Sequence, residues 1–283
     1  MNEQLLNRRG ILIPLSFCAG AALSQGAVML DDFDSYPGGG SGWAGDWSNV
    51  QGTPSIETSN PLNGGGSYLS FTRTNTNQGA GIRRSIASVT AAPYQVSFDW
   101  RYDSPVAQFN AYNDRISIGV NDGSSSSGTG TEYGTNTSWG WIIGVVGGDN
   151  TTNSTPYNDG EWYFYDNGST TNDGGFTTGN MRMTGVQLAD GVTYSFVVDV
   201  DPTAQTYDVR MTGTDGTNVF QAGMDFRNQT SAGSTRNQLT FSGSNTGTGE
   251  AQTWSLDNLV VTPEPGSALL CLLGALVGLR RRR

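Results

Sequence analysis

From Tyr94 to Tyr102 apolar and polar side chains alternate without a break. Tyr94, Val96, Phe98, Trp100 and Tyr102 fall on one face; Gln95, Ser97, Asp99 and Arg101 fall on the other. A period of two is the mark of a strand with one face in a core and one in water. Arg115 to Val120 repeats the pattern through Ile116, Ile118 and Val120, and Thr193 to Val200 repeats it through Tyr194, Phe196, Val198 and Val200. Trp139 to Val146 is apolar almost throughout, which predicts a central strand. Asp201 to Gln205 reads as a turn into a strand carrying Tyr207, Val209 and Met211, and Asp215-Gly216 turns the chain into a strand near Phe220. Shorter strands are predicted at Val28–Phe33, Trp47–Val50, Tyr68–Thr72, Ile82–Ile86, Trp162–Tyr165, Leu239–Ser242 and Trp254–Val261. No stretch carries three turns of amphipathic helix. The pattern predicts an all-β protein, a two-sheet antiparallel jelly-roll sandwich.

Composition sharpens this picture. The 283 residues include 40 glycines, no lysine and no histidine. Between the two ends nine arginines face 23 acidic residues, a net charge of about −14. Such a surface repels phosphate backbones, so nucleic acid is not expected as a partner. Gly- and Ser-rich stretches at 121–131, 147–155 and 167–180 read as loops.

The ends read as processing signals. Arg8 and Arg9 precede an apolar run from Ile11 to Leu23, and small residues follow at Ala22-Leu23-Ser24. This predicts a secretory signal peptide over 1–24 and passage through the Sec machinery. The run of about 13 residues is short for a spanning helix. At the other end Pro263-Glu264-Pro265 precedes an apolar run from Ala268 to Leu279 and then Arg280, Arg281, Arg282 and Arg283. Two prolines keep the backbone extended. The apolar run is predicted to enter a bilayer as a short transmembrane helix, and the arginines to stop it on the cytoplasmic side. The folded region is then 25–262. Both cysteines, Cys18 and Cys271, lie outside it.

The tripartite segment from Pro263 to Arg283 resembles the PEP-CTERM sorting signal of Gram-negative bacteria that make extracellular polysaccharide. The resemblance implies that exosortase, a membrane enzyme, cuts near Pro263-Glu264-Pro265. It also implies an inner-membrane intermediate and a final place at the cell surface or in the extracellular matrix. The central region resembles concanavalin A-like, laminin-G-like domains at Asp31-Asp32-Phe33-Asp34-Ser35-Tyr36, at Tyr194 to Val200 and at Leu256-Asp257-Asn258-Leu259-Val260-Val261. That resemblance implies that the first and last strands lie side by side. Asp32 and Asp257 would then approach each other and could share a structural Ca2+, which takes 6–8 oxygen ligands.

Without histidine or lysine, and with no cysteine in 25–262, carboxylates are the remaining catalysts. Hydrolases of the concanavalin-like group carry Glu-x-Asp-x-Glu on one strand; the nearest counterpart here is Asp199-Val200-Asp201, without a flanking glutamate. A non-catalytic protein that meets polysaccharide or the cell envelope is expected, with a glycan-acting hydrolase or lyase as the alternative. Trp162, Tyr163 and Tyr165 are the candidates for stacking on sugar rings, because a strand points half of Trp162-Tyr163-Phe164-Tyr165 outward unless both of its sides are covered.

Overall fold

The computed structural model describes residues 29–36, 47–73, 80–109, 114–123, 138–147, 160–167, 180–229, 231–244 and 251–264. The segment read as a signal peptide, 1–24, and the segment after Glu264 lie outside these residues. Among the described residues no helix is long and apolar enough to cross a membrane. Single 3-10 turns occur at Val106–Gln108 and Gly233–Thr235.

The strands are β1 (Met29–Asp31), β2 (Trp47–Gln51), β3 (Thr53–Glu57), β4 (Tyr68–Arg73), β5 (Ala80–Ser85), β6 (Tyr94–Tyr102), β7 (Arg115–Asn121) and β8 (Trp139–Val146). They continue with β9 (Glu161–Tyr165), β10 (Met181–Gln187), β11 (Thr193–Asp201), β12 (Thr206–Gly213), β13 (Asn218–Asp225), β14 (Gln238–Ser244) and β15 (Gln252–Pro263). One sheet has the order β13-β12-β11-β6-β15-β4-β3, with β1 also paired to β15. The second has the order β10-β9-β8-β7-β14-β5-β2. Every pairing is antiparallel. The fold is the predicted all-β sandwich.

The core lies between the sheets. The inward sides of β6, β11 and β15 meet Ile118 of β7, Trp141 of β8, Trp162 of β9 and Phe241 of β14, all buried. Trp162 stands edge-on to Trp100, with ring centroids 5.3 Å apart, and packs on Tyr194 and Phe196. Phe71 stacks on Trp254 at 4.8 Å. Such aromatic pairs add to what their buried area already contributes.

A bulge in β15 positions the acidic residues described below. The register with β6 shifts between Asp257 and Val260, and Asn258 takes φ 52° there. Trp254 and Leu256 face inward before the bulge, and Leu259 and Val261 after it. One extra residue therefore keeps both halves of β15 in the core and turns Asp257 to the outer side. β4 pairs with β15 before the bulge and β1 pairs with it after the bulge.

Two strands were not expected from the sequence, β3 and β10. Both are edge strands, and both carry a residue that weakens the strand pattern: Pro54 in β3 and Gly185, at φ 75°, in β10. An edge tolerates both, because one side of its ladder is unused.

Candidate functional site

The aromatic run of β9 behaves differently from expectation. Trp162 and Phe164 enter the main core. Tyr163 and Tyr165 do point to the opposite side, but there they join Trp139, Ile142, Val146 and Met181 in a second buried cluster. Trp162, Tyr163 and Tyr165 are each 0 % exposed. None offers a ring face to a sugar in this arrangement, so the expectation of exposed stacking residues is corrected for all three. Arg227 lies over the Tyr165 ring at 5.1 Å, and the Tyr207 hydroxyl donates to the Tyr165 carbonyl. Polar residues on the same outer face are buried too: Asn121 Nδ2 donates to Thr240 Oγ1 at 2.7 Å, and Ser242 Oγ donates to the Ser117 carbonyl at 3.0 Å. β9 is thus covered on both sides.

The seam between first and last strands forms as the resemblance implied. Met29, Leu30 and Asp31 stand opposite Val261, Val260 and Leu259. Asp31 and Asp257 then part ways. Asp31 Oδ2 accepts from Arg84 at 2.5 Å and from Trp47 Nε1 at 2.9 Å, a buried ion pair that ties the seam to β5 and β2. Asp257 stands across from Asp99 on β6, and both are buried on the outer side of their sheet.

Loop 58–67 closes over these acids. Asn63 Nδ2 donates to Ser195 Oγ at 2.9 Å and to Asp99 Oδ1 at 3.3 Å, and the Ser195 hydroxyl also donates to Asp99 Oδ1. Asn258 Nδ2 donates to Asp99 Oδ2 at 2.9 Å and to the Asn63 carbonyl at 3.0 Å. The Ser67 amide donates to Asp34 Oδ1 at 2.6 Å. Gly66, at φ 92°, lets the loop come this near: a Cβ there would lie 2.5 Å from Asp34 Oδ1. Two residues other than glycine hold left-handed backbone at the same seam, Asn258 at φ 52°, which asparagine tolerates, and the bulky Phe33 at φ 56°, which is strained there. Strained backbone of this kind persists only where the surroundings hold it in place.

Asp257 is the chemically distinct member. Its Oδ1 accepts the Asn258 amide at 2.7 Å, while its buried Oδ2 has no hydrogen-bond partner. Burial pushes its carboxyl up to about 7 against the help of the Asn258 amide, and the charges of Asp99, Asp34 and Asp32 add to the rise. Asp32 is half-buried and its Oδ1 accepts the Asp34 amide at 3.2 Å. Calcium needs several free oxygens. Here Asp34 and Asp99 are occupied by N–H and O–H donors, and among the described residues no three carboxylates converge as a metal shell. The acids of the seam are therefore engaged one by one by protein donors rather than turned toward a common point.

A second acidic depression is lined by Asp199, Asp201, Asp208 and Glu264 with Pro93 and Thr206. The strand alternation does place Asp199 and Asp201 on one face. Both have structural partners, however: Asp199 accepts from Gln95 Nε2 at 2.7 Å, and Asp201 Oδ1 caps the turn by accepting the Thr203 and Ala204 amides. Asp208 accepts the Gly223 amide at 2.7 Å. Partial burial and the charges of Asp199 and Asp201 push the Glu264 carboxyl up. Pro263 is the last residue of β15 and Glu264 follows it directly. Pro265 and Arg280 to Arg283 lie outside the described residues.

No protein-family model matches the chain, and no curated protein matches it in sequence. Solved structures do. Lectin II from Ulex europaeus matches at a TM-score of 0.51 and 14% identity, covering 84% of this chain and 99% of the lectin. A winged bean acidic lectin, solved with methyl-α-D-galactose, matches at 0.51 and 13%, covering 83% and 99%. The catalytic domain of a glycoside hydrolase family 131 protein from Coprinopsis cinerea matches at 0.48 and 10%, covering 79% and 86%. The fold is lectin-like. At these identities the likeness extends to the fold and no further.

Proposed function

We propose that the chain is an exported surface protein, sorted by exosortase after Sec export, whose sandwich meets extracellular polysaccharide or the cell envelope without catalysis. The export part is supported by the two end segments: a short charged and apolar leader over 1–24, and Pro263-Glu264-Pro265, an apolar run and four arginines in order. The sugar part is supported by the lectin-like fold, since one of the similar structures is the lectin UEA-II complexed with galactose. That support is a fold-level analogy. The non-catalytic part is supported by the carboxylates themselves. The acids of the seam and of the β11–β12 end serve turns, amides and side-chain donors rather than an open cleft.

The alternative is a glycan-acting hydrolase or lyase. Glycosidases flank the scissile bond with two carboxyl groups about 5–10 Å apart, and the depression holding Asp199, Asp201 and Glu264 is the place for such a pair. A glycan array and a reducing-end assay on residues 25–264, which keep Glu264 in the depression, separate the readings. Binding to an acidic or neutral polysaccharide without new reducing ends or unsaturated sugars is the expected result. Release of either product, abolished by Asp199→Asn with Asp201→Asn, overturns it. A cation at Asp32 and Asp257 enters the proposal only in exchange for the proton on Asp257. Its test is thermal unfolding at pH 8 with calcium and with chelator, where a higher midpoint in calcium is the supporting result.

A further inference from the structure

The motif read as a sorting signal begins inside the sheet. Pro263 closes β15 and stands opposite Tyr94, and Thr262 stands opposite Gln95. The ladder continues one residue further, where the Glu264 amide donates to the Pro93 carbonyl at 2.9 Å. The Glu264 side chain lies in the depression with Asp199, Asp201 and Asp208. No spacer separates the sandwich from the motif. Val261, only two residues before Pro263, is fully buried and pairs with both β6 and β1.

We propose that the sheet is an autoinhibitory clamp on this motif, so that processing requires the end of β15 to peel from β6. The inference rests on the sorting reading above. A cleaving enzyme takes its substrate as an extended strand and needs the backbone groups on both sides of the bond it breaks. That bond's acyl group passes to water or to an amine or hydroxyl acceptor, and the departing nitrogen takes the proton. Here the amide of Glu264 is engaged by Pro93, and Thr262 is held in the ladder. Peeling has a natural limit at Thr262. It is half-buried, whereas freeing Val261 would open the core. Proline at 93 makes the peel easier, because it has no N–H to return to the Glu264 carbonyl and the rung is held by one hydrogen bond. Opening one or two backbone hydrogen bonds corresponds to a roughly tenfold loss in the accessible population.

The experiment uses the full chain with Cys271→Ser in the cell that processes it, and follows conversion of precursor to mature protein by pulse-chase. A four-residue Gly-Ser spacer inserted between Thr262 and Pro263 should speed processing roughly tenfold. A clamp made permanent should slow it: Gln95→Cys with Thr262→Cys places two cysteines opposite each other across the ladder, at a separation a disulfide accepts. Reductant should restore the rate. Spacer and unlocked chain processed at one rate, with the oxidised cysteine pair processed equally fast, overturns the clamp. A control replaces Pro263, Glu264 and Pro265 by alanine. If that chain is processed like the parent, the sorting reading itself falls; if it stays uncut while the spacer has no effect, only the clamp falls.

Discussion

The two outer faces of the sandwich obey different rules. On β6 and β11 the outward residues other than Val197 are polar and reach solvent or a polar loop: Gln95, Ser97, Ser195 and Asp199 are all half-buried. On β8 and β9 every residue is buried, whichever way it points. The first face shows its orientation in the sequence, because water sorts its side chains. The second erases the alternation, because both sides are apolar or filled with buried polar groups. An unbroken run such as Trp162-Tyr163-Phe164-Tyr165 is therefore a sign of double burial rather than of an exposed platform.

The comparison is broken most severely through its shared core. Trp162→Ala removes the ring between Trp100, Tyr194 and Phe196 and should cost about 3–5 kcal/mol, read from denaturant midpoints. The next test asks whether the second cluster is a true interior. Tyr163→Ala should cost about 3 kcal/mol, and a cost below about 1 kcal/mol would mean that this side of β9 is a surface.

The polar side is sharpened through Asp257. Its folded-state carboxyl is raised to about 7 from the ordinary value of 3.8, so the folded state holds a proton that the unfolded state has lost. Stability should fall as pH rises between those values, by at most about 1.4 kcal/mol per unit, and level off above 7. Asp257→Asn should flatten that slope and raise the midpoint at pH 8, leaving acidic pH nearly unchanged. A slope that survives the substitution assigns the effect to other groups. The smallest effect is expected at Phe220, which is 54 % exposed at the edge and partners Arg210 at 5.4 Å. Phe220→Ala should shift stability by under about 0.5 kcal/mol.

Most of the fold was legible because one-sided burial writes a period of two. Tyr94–Tyr102 and Trp139–Val146 were read to the residue. The edges β3 and β10 were not legible, since Pro54 and Gly185 break the pattern that would have revealed them. The seam was legible as a juxtaposition of termini. Its chemistry was not, because nothing in the order of residues tells that Asn63 and Ser67 return from a loop to occupy Asp99 and Asp34. Nor does the sequence show that Asp31, rather than Asp32, takes the buried partner, since that depends on Arg84 arriving from β5. Loop 58–67 could have been flagged by Gly64-Gly65-Gly66, a run suited to the positive φ all three adopt, 92°, 81° and 92°.

The borders of the two sheets bear on how such a protein behaves when crowded. Each sheet ends in strands with unused hydrogen-bonding groups, and those groups invite a neighbouring molecule to extend the sheet. Among the described residues the strand at each end of the two sheet orders is interrupted. β3 carries Pro54, and β2, β10 and β13 each lose register within a few residues, at Ser48/Gln51, Met183/Gln187 and Tyr207/Val209. In β13 the Gly223 amide is further drawn back to Asp208. A molecule packed at high density beside its own copies would find no straight template on which to add. The interruptions that hid two strands from a reader of the sequence also shield these chains from stacking into fibres.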